Sequence, residues 1–189
     1  MPQRNNVLLI DSGVNSSKDI NIIDSINYVH YESNRDYLNH GTVIARIISS
    51  INTEVNIVSI KITDSAGSTV NNKLAQALAY ALSHDIGIIN VSLGLPVYSE
   101  NIQKTIDVLH SRGVLIIASA GNNISDIYPA QYNHVITVGA LNDDNTISSY
   151  SAPAKVYTYG SVTIGDKTYT GTSFSTAIIT GLLSKGGNY

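Results

Sequence analysis

The feature that most limits what this chain can fold into is the alternation of short, continuously apolar, β-branched runs with longer segments of helical periodicity. Residues 7–10, 27–31, 55–62, 86–92, 114–118 and 135–138 read as strands. Most lack the apolar–polar alternation of a strand that shows one face to water, so both of their faces must be covered. Helical spacing supplies the covering layers. It runs over 40–50, where Val43, Ile44, Ile47 and Ile48 share a face, and over 71–83, 100–112 and 172–184, with Gly113 stopping the third helix. The expected fold is α/β and three-layered, with a mainly parallel central sheet and helices on both faces. With 189 residues, 43% of them hydrophobic, one domain over 1–189 has enough material for a substantial core. The polar, turn-rich stretch 142–155 is too short to divide it.

Composition removes several classes of function. A formal charge of −3 and the lack of a lysine or arginine run argue against a nucleic-acid partner. No apolar stretch is long enough to span a bilayer, so no membrane partner is expected. The absence of cysteine rules out disulfides and thiolate metal sites. Residues 1–6 lead into the first strand without the apolar region of a signal peptide, which points to a cytoplasmic chain without a propeptide.

Three segments then carry chemistry: Asp11-Ser12-Gly13 closing a buried strand, His40-Gly41-Thr42 opening a helix, and Gly171-Thr172-Ser173 opening another. In parallel sheets, catalytic groups gather where strands end and helices begin. A carboxylate at the end of a buried strand is costly without a hydrogen-bond donor, and a histidine N–H is a suitable one. A serine at a helix N-terminus sits where developing negative charge is favoured. Taken singly, a histidine in a first helical turn is usually structural and Gly-Thr-Ser is a common cap. In the order Asp, His, Ser they trace one of the known chain orders of a nucleophilic triad. The chain has no Gly-x-Gly-x-x-Gly or phosphate loop, and Gly171-Thr172-Ser173-Phe174-Ser175 does not fit the Gly-x-Ser-x-Gly elbow, which speaks against nucleotide binding and the α/β-hydrolases.

These residues resemble the subtilisin-like serine proteases, the subtilases, over about Val7 to Lys185. Ile89-Asn90-Val91-Ser92-Leu93-Gly94 is similar to that family's substrate-binding strand. Ala118-Ser119-Ala120-Gly121-Asn122 is similar to the segment bearing its oxyanion asparagine, and Tyr128-Pro129-Ala130 through Ala140 resembles a further family stretch. The resemblance implies a subtilisin-like fold and a serine endopeptidase. In it Ser173 attacks the scissile carbonyl, His40 is the general base and acid, Asp11 fixes the imidazole tautomer, and Asn122 receives the oxyanion. It further implies that a peptide or protein substrate adds as a strand against Ser92, Leu93 and Gly94, with Gly67, Ser68 and Thr69 as the other rim strand and Ser119, Ala120 and Gly121 nearby. Ile127 stands where the family commonly has a small residue at the base of the primary specificity pocket. A shortened pocket, taking Ala, Ser or Gly before the scissile bond, is therefore expected; the alternative is that Ile127 simply packs in the core.

Other positions depart from the family pattern. Val43 replaces a common second histidine, Ala177 a usual proline and Phe174 a frequent methionine; none is a triad member. The segment between Ile51 and Val55 has no room for a calcium-wrapping loop, and Asp143 with Asp144 reads as a solvated acidic pair, so no metal or other cofactor is expected. Sixteen residues follow Ser173, fewer than in larger relatives, which suggests a protein partner or a second copy over that face. The implied role is a narrow-specificity intracellular protease trimming a small set of peptides, such as a leader. The alternative is a catalytically weak or inactive peptide-binding or regulatory module on the same scaffold.

Overall fold

A computed structural model of the protein describes residues 2–124 and 127–186. Seven strands, β1 (Asn6–Asp11), β2 (Ile22–Asn27), β3 (Asn56–Lys61), β4 (Ile88–Val91), β5 (Leu115–Ser119), β6 (Val135–Leu141) and β7 (Val156–Tyr159), form one sheet in the order β2-β3-β1-β4-β5-β6-β7. Every pairing in it is parallel. A separate antiparallel hairpin, β8 (Ser161–Ile164) with β9 (Lys167–Thr170), precedes the last helix.

The continuous apolar runs occupy the central strands. Val7, Leu8, Leu9 and Ile10 of β1 are fully buried, even-numbered side chains facing one layer and odd-numbered ones the other. Helices α2 (Asn71–Ala81) and α3 (Glu100–Ser111) cover the first face through Leu74, Leu78, Ile102 and Ile106. Helices α1 (His40–Ile51) and α4 (Thr172–Ser184) cover the second, where Val43, Ile44, Ile47 and Ile48 meet Val7, Leu9 and Ile57. Each fully buried side chain of this size contributes about 1.5–3 kcal/mol.

One strand assignment shifts. Of the run 27–31 only Asn27 is in a strand, as the last residue of the edge strand β2 at Ile22–Asn27. Being an edge, β2 keeps Ile23, Asp24 and Ser25 exposed and carries a register shift between Ile22 and Asp24, so no apolar run marks it. The half-exposed edge strand β7 and the hairpin are likewise unmarked by apolar runs.

The order places a topological switch between β1 and β4: the chain passes from β1 to β2 and β3 on one side, then to β4–β7 on the other. The crevice beyond the carboxyl ends of strands at such a point is where open α/β sheets bind ligands. Asp11 ends β1 and Ser92 follows β4 directly, so both open into it.

Candidate active site

Asp11 is 3% exposed, and its Oδ1 accepts hydrogen bonds from the Ser12 backbone N–H (2.7 Å) and from His40 Nδ1 (2.8 Å). Its other oxygen, Oδ2, is buried without a hydrogen-bond partner. A carboxylate only accepts, so His40 carries its proton on Nδ1 and Nε2 is left as the basic nitrogen. The Asp11 charge holds the imidazole above its usual value of 6.5, against an opposing effect of burial, and the Asp11 hydrogen bond and Asp36 charge add to the rise. His40 is the first residue of α1. The close approach of that helix to β1 requires Gly41, where a Cβ would lie 2.2 Å from the Gly13 carbonyl oxygen.

Ser173 is the second residue of α4. Its hydroxyl donates to the Ser92 carbonyl (3.2 Å), and among the described residues no hydrogen bond joins it to His40. A buried polar ladder ties the helix to the end of β4: Thr180 Oγ1 donates to Asn90 Oδ1 (2.8 Å), Asn90 Nδ2 to Ser92 Oγ (3.1 Å), and Ser92 Oγ to the Ser173 carbonyl (3.3 Å). Asn90 is fully buried, and the ladder satisfies both ends of its amide, as a buried amide requires. The Phe174 ring packs 5.9 Å from that of His40 and 5.7 Å from that of Tyr169 in β9, so α4 and the hairpin together wall the His40 imidazole.

Asn122 is exposed, and its Oδ1 accepts from both the backbone N–H and the hydroxyl of Thr172, each at 3.0 Å. Two donors on one side fix the amide orientation and leave the NH2 group, among the described residues, without an acceptor of its own. The left-handed residue of this turn is Asn123 (φ 58°), so turn geometry makes no demand on the Asn122 side chain.

A cleft of about 280 Å3 is lined by residues from three of the expected segments: Ser92, Leu93 and Gly94; Ser119, Gly121 and Asn122; and Thr172 with Ser173. Ile127 closes it. Its Cδ1 lies 2.4 Å from where a Cβ on Gly94 would stand and 3.0 Å from one on Gly121. Paired backbone hydrogen bonds between Leu95 and Tyr128, both 2.8 Å, hold that wall in place, and the Tyr128–Pro129 peptide is cis. Ala120 is buried and does not line the cleft. Gly67, Ser68 and Thr69 do not form a strand. They lie in a turn held by the Asp64 carboxylate, which accepts from the Ser68 N–H (2.9 Å), and none lines the cleft. A larger depression of about 670 Å3 lies between Gln3–Asn5 and Thr53–Glu54, beyond the far end of α1 from His40, and none of the sequence-predicted site residues lines it. Among the described residues no three His, Asp or Glu side chains cluster as a metal site would need, and no helix is long and apolar enough to cross a membrane.

Sequence reasoning quoted Ser12, Asn90 and Thr172 within motifs but gave them no role of their own. It missed Asp36 altogether, because a lone acid in a polar loop carries no periodic or spacing signal.

Comparison with known proteins gives a consistent result. The model of the subtilase family matches residues 5–185. Subtilisin E of Bacillus subtilis (strain 168) is 32% identical over 164 residues, covering 77% of this chain and 43% of the relative. The subtilisin of Bacillus pumilus is also 32% identical over 164 residues, with 77% and 60% covered. This chain therefore spans about half the length of these curated relatives. In three dimensions it is similar to a cold-adapted subtilisin-like serine proteinase, with a TM-score of 0.85, 23% identity, and coverage of 96% of this chain and 74% of the other, which shows the shared fold. The chain belongs to the subtilase family.

Proposed function

We propose that this chain is a serine endopeptidase in which Ser173 is the nucleophile, His40 the base, Asp11 its orienting carboxylate and Asn122 an oxyanion donor. The observation that carries the reading is the 2.8 Å Asp11–His40 contact, which ties up Nδ1 and leaves Nε2 as the basic nitrogen, in a fold whose cleft is lined by a serine at a helix N-terminus. In the reaction the Ser173 oxygen bonds to the scissile carbonyl carbon as its proton passes to His40 Nε2. The carbonyl oxygen becomes an oxyanion that the Asn122 amide and the Ser173 N–H receive. Collapse breaks the C–N bond, His40 returns the proton to the leaving amine, and water then hydrolyses the acyl-enzyme by the same steps.

Ile127 gives the proposal its substrate class. With its terminal methyl between Gly94 and Gly121, the primary pocket takes Ala, Ser or Gly before the scissile bond. Such a pocket suits an enzyme that trims few peptides in the cytoplasm, for example by removing a leader. Fluorophosphonate labelling and cleavage of a diverse peptide set by the wild type and Ser173→Ala test both parts. Labelling at Ser173 with cleavage after small residues is expected; rapid cleavage of casein after large apolar residues contradicts the narrow specificity.

One observation favours a second reading. The Ser173 hydroxyl rests on the Ser92 carbonyl and not on His40, as it would in a weak peptide-binding module. Catalytic hydrogen bonds commonly tighten only in the substrate complex, and a peptide N–H arriving at the Ser92 carbonyl competes for the same acceptor, which keeps the enzyme reading ahead.

A further inference from the structure

A second buried carboxylate lies behind the triad. Asp36 is 3% exposed, and the sequence motifs do not include it. Its Oδ2 accepts from the Thr42 backbone N–H (2.9 Å) and the Thr42 hydroxyl (2.6 Å). Its Oδ1 accepts from the Ser12 hydroxyl (2.8 Å). Its own backbone is gripped at both ends by the Asn15 side chain, whose Oδ1 accepts from the Asp36 N–H (3.0 Å) and whose Nδ2 donates to the Asp36 carbonyl (2.9 Å).

Helix α1 needs this arrangement. Its N-cap residue, Asn39, is in the left-handed region (φ 59°) and makes no side-chain cap. The first N–H groups are served from elsewhere, Gly41 by the Ser12 oxygen (3.1 Å) and Thr42 by Asp36. Those bonds fix the turn that carries His40. Ser12 also lies 3.1 Å from Asp11 Oδ1, yet it has one proton, and the shorter contact runs to Asp36. Asp36 thereby keeps that proton off Asp11, leaving the Asp11 charge less compensated and its pull on the imidazole stronger.

We propose that Asp36 is a positioning residue for the His40 base, acting on the imidazole through α1 and through the Ser12 hydroxyl that bridges it to Asp11. The inference deepens the triad reading and rests on it. The charged groups facing the network are Asp11 from β1 and the fully buried Lys61 from β3, whose ammonium binds the Ser12 and Arg35 carbonyls and pairs with Glu32 (3.2 Å). From α4, the neutral Phe174 ring packs against the imidazole.

The test is an NMR titration of the His40 imidazole in the wild type and in Asp36→Asn, with kcat, KM and the pH profile of Ser173 labelling measured in parallel. Asp36→Asn removes one charge and lets the Ser12 proton turn to Asp11, and both changes lower the pKa of His40. The expected result is a titration and an acidic limb moved to lower pH, a fall in kcat of about ten- to a hundredfold, and an unchanged KM. A folded variant whose His40 titrates as in the wild type overturns the proposal, whatever its melting temperature. Ser12→Ala cuts the bridge but keeps both carboxylates, so kcat falls while the His40 titration stays near that of the wild type; undiminished kcat there also overturns it. Wild-type protein that neither labels nor cleaves would refute the triad reading alone, because the NMR comparison does not depend on turnover.

Discussion

The two halves of the crevice are built differently. On the β1–α1 side, Asp11, Ser12, Asp36, Thr42 and His40 are joined by side-chain hydrogen bonds of 2.6–3.1 Å around nearly buried carboxylates. On the β4–α4 side, Ser173, the proposed nucleophile, and Asn122, the proposed oxyanion donor, are set by the placement of a helix, and among the described residues no hydrogen bond joins the Ser173 hydroxyl or the Asn122 NH2 to His40 or to one another. In the proposed mechanism His40 is thus oriented before substrate arrives, while the Ser173 hydroxyl still has to move from the Ser92 carbonyl to His40. Orienting the charged half in advance makes physical sense, because a buried carboxylate without fixed partners is costly, whereas a neutral hydroxyl turns at little cost.

The strongest challenge to this contrast is to remove the Ser173 hydroxyl. Ser173→Ala is expected to abolish fluorophosphonate labelling and to lower kcat by at least about ten-thousandfold while leaving the His40 titration in place. A large shift in that titration would show that the two halves are coupled at rest. Next in size, Asn122→Ala is expected to lower kcat by about a hundred- to thousandfold, the range known for subtilisin, with little change in KM. Thr172→Val, which removes only one of the two donors on Asn122 Oδ1, should cost less, about tenfold. Equal losses in the two variants would mean that the amide acts through its Thr172 contacts and not on the oxyanion.

The pocket yields an intermediate effect. Ile127→Ala withdraws the methyl that reaches between Gly94 and Gly121, so kcat/KM for substrates with Leu before the scissile bond should rise by about tenfold or more relative to Ala. Competition between paired peptides reads this ratio, and an unchanged ratio would return Ile127 to a packing role.

The smallest effect is a pH dependence with opposite signs for activity and stability. The folded-state pKa of His40 is raised, chiefly by the Asp11 charge. The Asp11–imidazolium pair therefore stabilises the fold fully below the unfolded value of 6.5 and loses that contribution as pH rises through the higher folded value. Catalysis needs neutral Nε2, so labelling rises across that same window. Denaturant midpoints and labelling rates measured on one pH series check the crossing, and Asp11→Asn should remove it.

Sequence legibility followed burial. The central strands were readable because cover on both faces leaves continuous apolar runs, and α1–α4 because each buries a periodic face. The edge strand β2 was displaced to 27–31, since the exposed Asp24 and Ser25 of a solvent-facing edge look like loop. The triad segments stood out through chain order and strand-to-helix context. Their supports did not: Asp36 acts through contacts 24 and 6 positions away, with Ser12 and Thr42, and Asn90 meets Thr180 across 90 positions. Such pairs are created by the fold, and no local spacing announces them. Gly67–Thr69, expected as a rim strand, instead form a turn because the Asp64 carboxylate captures the Ser68 N–H that a strand would offer to a neighbour.

The central claim is that Asp11 and His40 form a preset base serving Ser173. The most direct measurement is the rate of fluorophosphonate labelling across pH, with the modified residue located by mass spectrometry and Ser173→Ala and Asp11→Asn as references. The account predicts labelling at Ser173 alone, an acidic limb above pH about 6.5 that matches the NMR titration of His40, and a lower limb with much slower labelling in Asp11→Asn. Folded wild-type protein that stays unlabelled, or that labels at a rate indifferent to the His40 titration, would contradict it.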